Sequence, residues 1–348
     1  MPGVTAKEIA AKLHLSPSAV SLALNGKPGV SDTTRALVME TAAQMGYTRL
    51  EPSDTPAPKQ TLCFVRYAGK IVRIAEHTTF ASFVLQGVEA RASKLGYSTQ
   101  VRYLNAGDMF NPQILESIRN ADGIIFLGTD ISQKQMPELE RLFDSLGSTP
   151  VVVVDSSALA SRVDCVVNDC YTGAKEATEY LLKTGHRRIA YAKARQRIPN
   201  FNDRERGVRV AMEQAGLQLA AVIDVDISSE GAFQDFDSWI KTMPCLPDGL
   251  FADNDVIAAA VIRVLKKHGY RVPDDISVIG FDDIPICEML DPPLTTVHSF
   301  KEDLGIVAVE LLDRRIKRGE VPHQMPSIGR LNTAISTCLV KRFSVRSR

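Results

Sequence analysis

From Thr61 onward, short apolar runs rich in Val and Ile alternate with longer segments of helical periodicity, almost to the end of the chain. Leu62 to Tyr67 reads as a strand, Ser82 to Leu95 as a helix stopped by Gly96, and Thr99 to Leu104 as the next strand. Gly123 to Leu127 and Val151 to Val154 continue the series, with helical stretches between them. The alternation then restarts with Cys165 to Val167, a helix Gly173 to Lys183, a strand Arg188 to Ala192 and a helix Asp203 to Gln214. Strands Leu250 to Ala252, Ser277 to Gly280 and Ile335 to Val340 complete it. Such a succession specifies doubly wound parallel sheets. About a dozen units exceed what one twisted open sheet holds, so two linked α/β lobes with a ligand cleft between them are expected.

The first 48 residues follow a different rule, because helix start and stop signals recur too quickly for a larger fold. Thr5 and Glu8 form a capping box that opens a helix with Ile9, Ala10 and Leu13 on one face. Ser16 caps a second helix with Pro17 at its first position, ended by Asn25 and Gly26, and Val20, Ala23 and Leu24 supply its inward face. Ser31 caps a third, which carries Leu37, Val38, Ala42 and Met45 inward and stops at Gly46. Two short helices, a tight turn and a closing third make a helix-turn-helix unit, whose second helix is the one offered to a DNA major groove. Residues 49–60 hold three prolines, two acids and no apolar period, and read as a linker.

Lys plus Arg and Asp plus Glu both number 41, so no global field draws the chain to nucleic acid or to an anionic membrane. Any DNA contact must be local. Residues 1–50 carry five basic groups (Lys7, Lys12, Lys27, Arg35, Arg49) against three acids (Glu8, Asp32, Glu40), a balance of only +2 that a dimer would double. No apolar run approaches the ~20 residues that a bilayer span requires, and Met1-Pro2-Gly3-Val4 leads straight into polar helix signals. A cytoplasmic protein without membrane contact is expected. The six cysteines are dispersed and read as reduced core thiols.

In order and spacing, a series of motifs resembles the LacI/GalR-type bacterial transcription regulators. The opening runs Val4-Thr5, Ile9-Ala10, Leu15-Ser16-Pro17-Ser18-Ala19-Val20-Ser21, Leu24-Asn25-Gly26, Val30-Ser31 and Thr34-Arg35, then Gly46-Tyr47. Later come Thr184-Gly185-His186-Arg187-Arg188-Ile189, Ala252-Asp253-Asn254-Asp255, Ile276 to Asp283, and Pro292-Pro293-Leu294-Thr295-Thr296-Val297. The resemblance covers nearly the whole chain. It implies an N-terminal all-α helix-turn-helix headpiece (1–48), a Pro-rich linker (49–60) and a two-lobed, periplasmic-binding-protein-like sensor (61–342). Three crossovers would join lobe one, at 61–163 and 296–326, to lobe two, at 164–295 and 327–342.

By position in the motif, Pro17, Ser18 and Leu22 would reach base edges, and Thr5, Ser16, Ser21, Asn25, Ser31 and Thr34 would contact phosphate. Small hydroxyls and helix N-terminal amides suit phosphate oxygens, although Ser16 and Ser31 also serve as helix caps. Leu22 departs from the Arg or His of several relatives. Leucine offers only apolar contact, as to a thymine methyl, so less dependence on guanine is expected at that step. A second departure lies in the linker, where relatives commonly form an Ala-x-x-Leu hinge helix. Pro52, Pro56 and Pro58 oppose a helix there, and Glu51 and Asp54 oppose phosphate, so neither minor-groove insertion nor its bend is carried over. Coupling would then act through headpiece spacing in a homodimer on a pseudo-palindromic operator.

For the effector, the resemblance assigns Phe80, Asp155, Arg204, Asn254 and Asp282. Carboxylates, an amide and a guanidinium together fit a polyhydroxylated, sugar-like molecule. Asp253-Asn254-Asp255 lacks the later spacing of a calcium loop, and neither a metal nor a cofactor is expected. Gly-x-Gly-x-x-Gly, Gly-x-x-x-x-Gly-Lys-Ser/Thr and Gly-x-Ser-x-Gly are all missing from the sequence, which argues against an enzyme. The alternative reading is an intracellular ligand-binding protein with a degenerate headpiece. Only Lys341 to Arg348 follow the last strand, too little for a heptad tail. Sedimentation should therefore find a dimer, and a stable tetramer would contradict this.

Overall fold

The structure is a computed structural model that describes residues 6–24, 29–45, 60–68, 78–105, 107, 109–131, 133–243, 245–319 and 329–348. It divides into two compact units, Met1–Lys59 and Gln60–Arg348. Thr5, Asn25, Gly26 and most of the Pro-rich linker lie outside the described residues, as does the question of a hinge helix.

The first unit contains α1 (Ala6–Leu13), α2 (Pro17–Leu24) and α3 (Asp32–Gln44). Ile9, Ala10, Val20, Ala23, Val38 and Ala42 form its core, with Leu13, Leu24 and Met45 packed against them. Leu37 does not join them and is 49% exposed. The buried face of α3 runs through Val38, Thr41 and Ala42, and Leu37 precedes that face by one helical step of about 100°. Ser16 and Ser31 are caps as expected: their hydroxyls accept from Ala19 N at 3.1 Å and Thr34 N at 3.2 Å.

The second unit begins with β1 (Thr61–Ala68), α4 (Thr78–Lys94), β2 (Ser98–Asn105), α5 (Pro112–Arg119), β3 (Gly123–Leu127), α6 (Met136–Ser145), β4 (Val151–Val154) and β5 (Asp164–Asn168). The chain then crosses to α7 (Cys170–Lys183), β6 (Ile189–Ala194), α8 (Pro199–Gln214), β7 (Ala221–Val225), α9 (Ser229–Ile240) and β8 (Gly249–Ala252). There follow α10 (Asp255–Lys267), β9 (Ser277–Asp282), α11 (Ile286–Met289) and β10 (Thr295–His298). It returns for α12 (Lys301–Arg318) and β11 (Asn332–Ile335), and crosses a third time into β12 (Cys338–Val340).

Two six-stranded sheets result, in the orders β11-β5-β4-β3-β1-β2 and β12-β10-β9-β8-β6-β7. Among the described strands, all pairings are parallel except β12 on β10. Each lobe thus repeats the 2-1-3-4-5 order of a doubly wound sheet, with β3, β4 and β8 buried along their whole length.

Sheet membership corrects the expected lobe boundaries. β5 pairs with β4 and so extends lobe one to residue 168, while β10 pairs with β9 and keeps lobe two up to residue 298. The strand expected over Ile335 to Val340 is really two: β11 completes lobe one and β12 completes lobe two. An ion pair fixes the returning segment. Arg315 on α12 grips Asp164 with two bonds of 2.8 Å, and Leu331 N donates to the same carboxylate at 2.9 Å. Cys63, Cys165, Cys170 and Cys287 are core thiols, but Cys245 and Cys338 are exposed.

At Gly87 and Gly305 the backbones of α4 and α12 come into close approach, with no side chain between them. A Cβ at Gly87 would lie 2.0 Å from the Glu302 carbonyl oxygen, and one at Gly305 would lie 2.2 Å from that of Val84. Gly87→Ala must therefore push the helices apart, and should lower unfolding stability by about 1–3 kcal/mol in chemical denaturation, as overpacking does elsewhere. An unchanged midpoint would contradict this contact.

Candidate functional site

Three of the expected effector residues, Asp155, Arg204 and Asp282, gather where the carboxyl ends of the two sheets face each other. Asp155 directly follows β4, Asp282 ends β9, Asn254 follows β8 and Arg204 lies in the second turn of α8. Arg204 is 4% exposed. One terminal nitrogen donates to Asp282 Oδ1 at 2.8 Å and the other to the Asp253 carbonyl at 2.5 Å. Its guanidinium lies 3.8 Å from the ring centroid of Phe281 and 5.3 Å from that of Phe201. Burial weighs against this cation, but Asp282, Cys170 and Asp253 hold its pKa above the usual arginine range. Its Nε is buried without an acceptor among the described residues.

Across from it, Asp155 belongs to lobe one and is also buried. Thr129 donates to its Oδ2 at 2.7 Å, while Asn200, from the first turn of α8 in lobe two, donates to its Oδ1 at 2.8 Å. The same Asn200 nitrogen reaches the Asp155 carbonyl at 3.2 Å. Burial pushes the Asp155 carboxyl up to about 7; Asp282 adds to this, and the Thr129 and Asn200 bonds and the Arg204 charge oppose it. Asp155, Asp282 and Asp283 all have left-handed φ, at 63°, 106° and 53°, which non-glycine residues adopt at a cost.

The other expected residues are placed differently. Asn254 is buried, but its side-chain oxygen caps α10 by accepting from Ile257 N at 2.9 Å. Phe80 sits in the apolar cluster under α4 and α12 with Phe64, Val84 and Leu304, not against Arg204. A cavity of about 430 Å³ opens beside the Arg204 cluster rather than over it, near Phe83, Asp283, Pro285, His298, Phe300 and Arg342.

Two residues of the site, Asn200 and Thr129, stand out by nothing in the sequence, and Asp253 and Asp255 take roles that their motif did not indicate. Asn200 and Thr129 are ordinary polar residues whose meeting requires the tertiary fold. Asp253 joins three segments, accepting from Tyr191 Oη, from Ala194 N at 2.7 Å and from Arg197 at 2.6 Å. Asp255 accepts from Thr296 at 2.5 Å and Ile284 N at 3.0 Å, and burial pushes it too up to about 7. The Asp-Asn-Asp run thus has three separate structural tasks. His186 is fully buried, with Ser277 2.8 Å from its Nε2.

In the helical unit, Ser16, Pro17, Ser18, Ser21 and Ser31 are exposed, whereas Thr34 and Leu22 are half-buried. Leu22 is not a member of the core cluster. Arg35 of α3 donates to the carbonyls of Leu22 and Ala23 at 3.4 and 3.3 Å, a cation closing the C-terminus of α2.

Residues 178–342 match the periplasmic binding protein-like domain family. The HTH-type transcriptional repressor PurR of Vibrio cholerae serotype O1 (strain M66-2) is 30% identical over 323 residues, covering 91% of this chain and 92% of its own length. The ribose operon repressor of Escherichia coli (strain K12) is 28% identical over 324 residues, covering 92% and 95%. Among solved structures, a transcriptional regulator CelR–cellobiose complex superposes with a TM-score of 0.68 at 24% identity, covering 98% of this chain and 99% of that one. The lac repressor dimer bound to operator and the anti-inducer ONPF also gives 0.68, at 22% identity over 99% and 100%. At these identities the structures speak for the fold alone. No described helix is long and apolar enough to cross a membrane.

The raised carboxyls set a pH dependence. Asp155 and Asp255 titrate near 7 when folded and near ~3.9 when unfolded, so between those values the native state binds more protons. Their contribution is complete below the unfolded value and is lost as pH rises through the folded one. These two groups should therefore lower unfolding stability from about pH 4 to about pH 7, and Asp155→Asn should flatten that part of the slope relative to the wild type. A variant that follows the wild-type pH profile in denaturant titrations would contradict the assignment.

Proposed function

The chain belongs to the LacI family of transcription regulators, and from that premise we propose that it represses transcription as a cytoplasmic homodimer on a pseudo-palindromic operator, under the control of a sugar-like effector in the interlobe cleft. The carrying observation is the link from Asp155 in lobe one to Asn200 in lobe two, beside the Arg204–Asp282 pair. A polyhydroxylated ligand offers the donors and acceptors that these groups now find in each other, and would fit one lobe arrangement better than another. Bound ribose in a LacI family regulator from Enterococcus faecium and cellobiose in CelR support a carbohydrate. Asp155, Arg204 and Asp282 would make the ligand contacts, with Asn254 shaping the site through its cap. Neither a cofactor nor a catalytic step has a part in this reading.

On the DNA side, Pro17, Ser18 and Leu22 would face base edges, and Thr5, Ser16, Ser21, Asn25, Ser31 and Thr34 the phosphates. Selection of bound duplexes from a random pool at ~0.15 M salt tests this, because weak phosphate attraction is then screened. An inverted repeat should be enriched, and Leu22→Arg should shift one step of each half-site toward guanine. Deleting residues 1–60 should abolish DNA binding and spare sugar binding. If no sequence is enriched, with or without ribose or cellobiose, the chain is better read as a ligand-binding protein with a degenerate headpiece.

A further inference from the structure

Lys301 breaks two local rules at once. It occupies the first position of α12, an 18-residue helix, where the macrodipole disfavours a cation, and it is only 5% exposed. Burial pulls its ammonium below the usual lysine range, while Asp282, Asp283 and Asp255 pull the other way. Its immediate partners, however, are not carboxylates. The ammonium donates to the carbonyls of Asp282, of Ser299 at 3.0 Å and of Asp283 at 3.4 Å, and to the Ser299 hydroxyl at 3.4 Å. The Ser299 hydroxyl donates in turn to the Asp282 carbonyl at 3.2 Å.

These contacts join different lobes. The base of Lys301 is fixed in lobe one, where α12 meets α4 at the close approach through Gly87 and Gly305, and Phe83 of α4 lies 5.9 Å from its ammonium. Its tip grips the two consecutive left-handed residues of lobe two, Asp282 and Asp283. Left-handed backbone at two adjacent non-glycine positions persists only where surrounding contacts hold it. The Asp283 side chain is held within lobe two by His298 and Arg342, each at 2.8 Å. The Asp282 side chain is turned to Arg204, and the bend's carbonyl side depends on Lys301 and Ser299.

We propose that Lys301 is a positioning residue for effector binding: a strut from lobe one that holds the Asp282–Asp283 bend so that the Asp282 carboxylate faces Arg204 and the cleft. Movement of α12 relative to lobe two alters this carboxylate directly, and occupancy of the cleft acts back on the crossover through the same ammonium. The effector half of this inference rests on the reading of Asp282 as a ligand contact.

Hydrogen exchange on the full chain, without ligand, tests the strut. In Lys301→Met, amides from Asp283 to Cys287 should exchange about tenfold faster or more, as loss of a charge-assisted bond predicts, while β8 and α10 stay protected. Lys301→Arg, which keeps the cation, should return the bend toward wild type. Unchanged exchange at the bend overturns the proposal, and so does equal acceleration through both lobes, which marks a merely structural residue. Titration with D-ribose separates the two halves. Loss of affinity in both Asp282→Asn and Lys301→Met supports the strut, whereas loss in Asp282→Asn alone overturns it. Ribose binding untouched by Asp282→Asn, or missing in the wild type, counts against the effector reading instead, and exchange then decides the strut alone.

Discussion

A buried guanidinium needs partners for its charge, and Arg204 shows how much architecture that requires. Its partners come from different places: the carboxylate of Asp282 at the end of β9, the carbonyl of Asp253 after β8, and the ring of Phe281 within β9. Taking such a charge out of water costs several kcal/mol, and removing one partner leaves that cost uncompensated. The register of β8 against β9, the left-handed turn at Asp282 and the placement of α8 are therefore joint conditions of one interaction. Asp253 continues the network to Arg197 and Tyr191, so the loop after β6 is tied to the same point.

The alternation of strands and helices was legible because it depends on period and length, which each segment carries locally. Lobe boundaries were not, because which lobe a strand joins is decided by its hydrogen-bonded neighbours. Nothing within Asp164–Asn168 says that it pairs with β4, or that Arg315, far along the chain, will close on Asp164. The same holds for residues 335–340, where a run that looks like one strand is divided between two sheets. Leu37 shows a smaller version of this limit: an apolar residue one position off the buried face of α3 is exposed.

At the site, charged residues at strand ends were readable from their position in a recurring pattern, and Asp155, Arg204 and Asp282 do converge. Asn254 and Phe80 came from the same pattern; in the structure Asn254 caps a helix and Phe80 lies in the lobe-one core. Polar residues that act by meeting a partner from the other lobe, such as Asn200 and Lys301, could not be singled out. Their chemistry is ordinary, and only their surroundings are unusual.

On the proposed reading, those surroundings bound what an effector could do. The lobes already touch through Asp155 and Asn200, two buried groups that satisfy each other. A ligand that separates them must replace both bonds, since an unpaired buried donor or acceptor costs about 1–3 kcal/mol. The gain available to shift the lobes is what remains after that replacement, so a ligand that merely restores the bonds it breaks moves nothing. The surplus must come from groups left unsatisfied in the closed pair, and Arg204 Nε, buried without an acceptor among the described residues, is one such group. On the proposed reading, a ligand oxygen placed against it would be a contact that the ligand-free lobes lack, and coupling requires such a contact to differ between lobe arrangements.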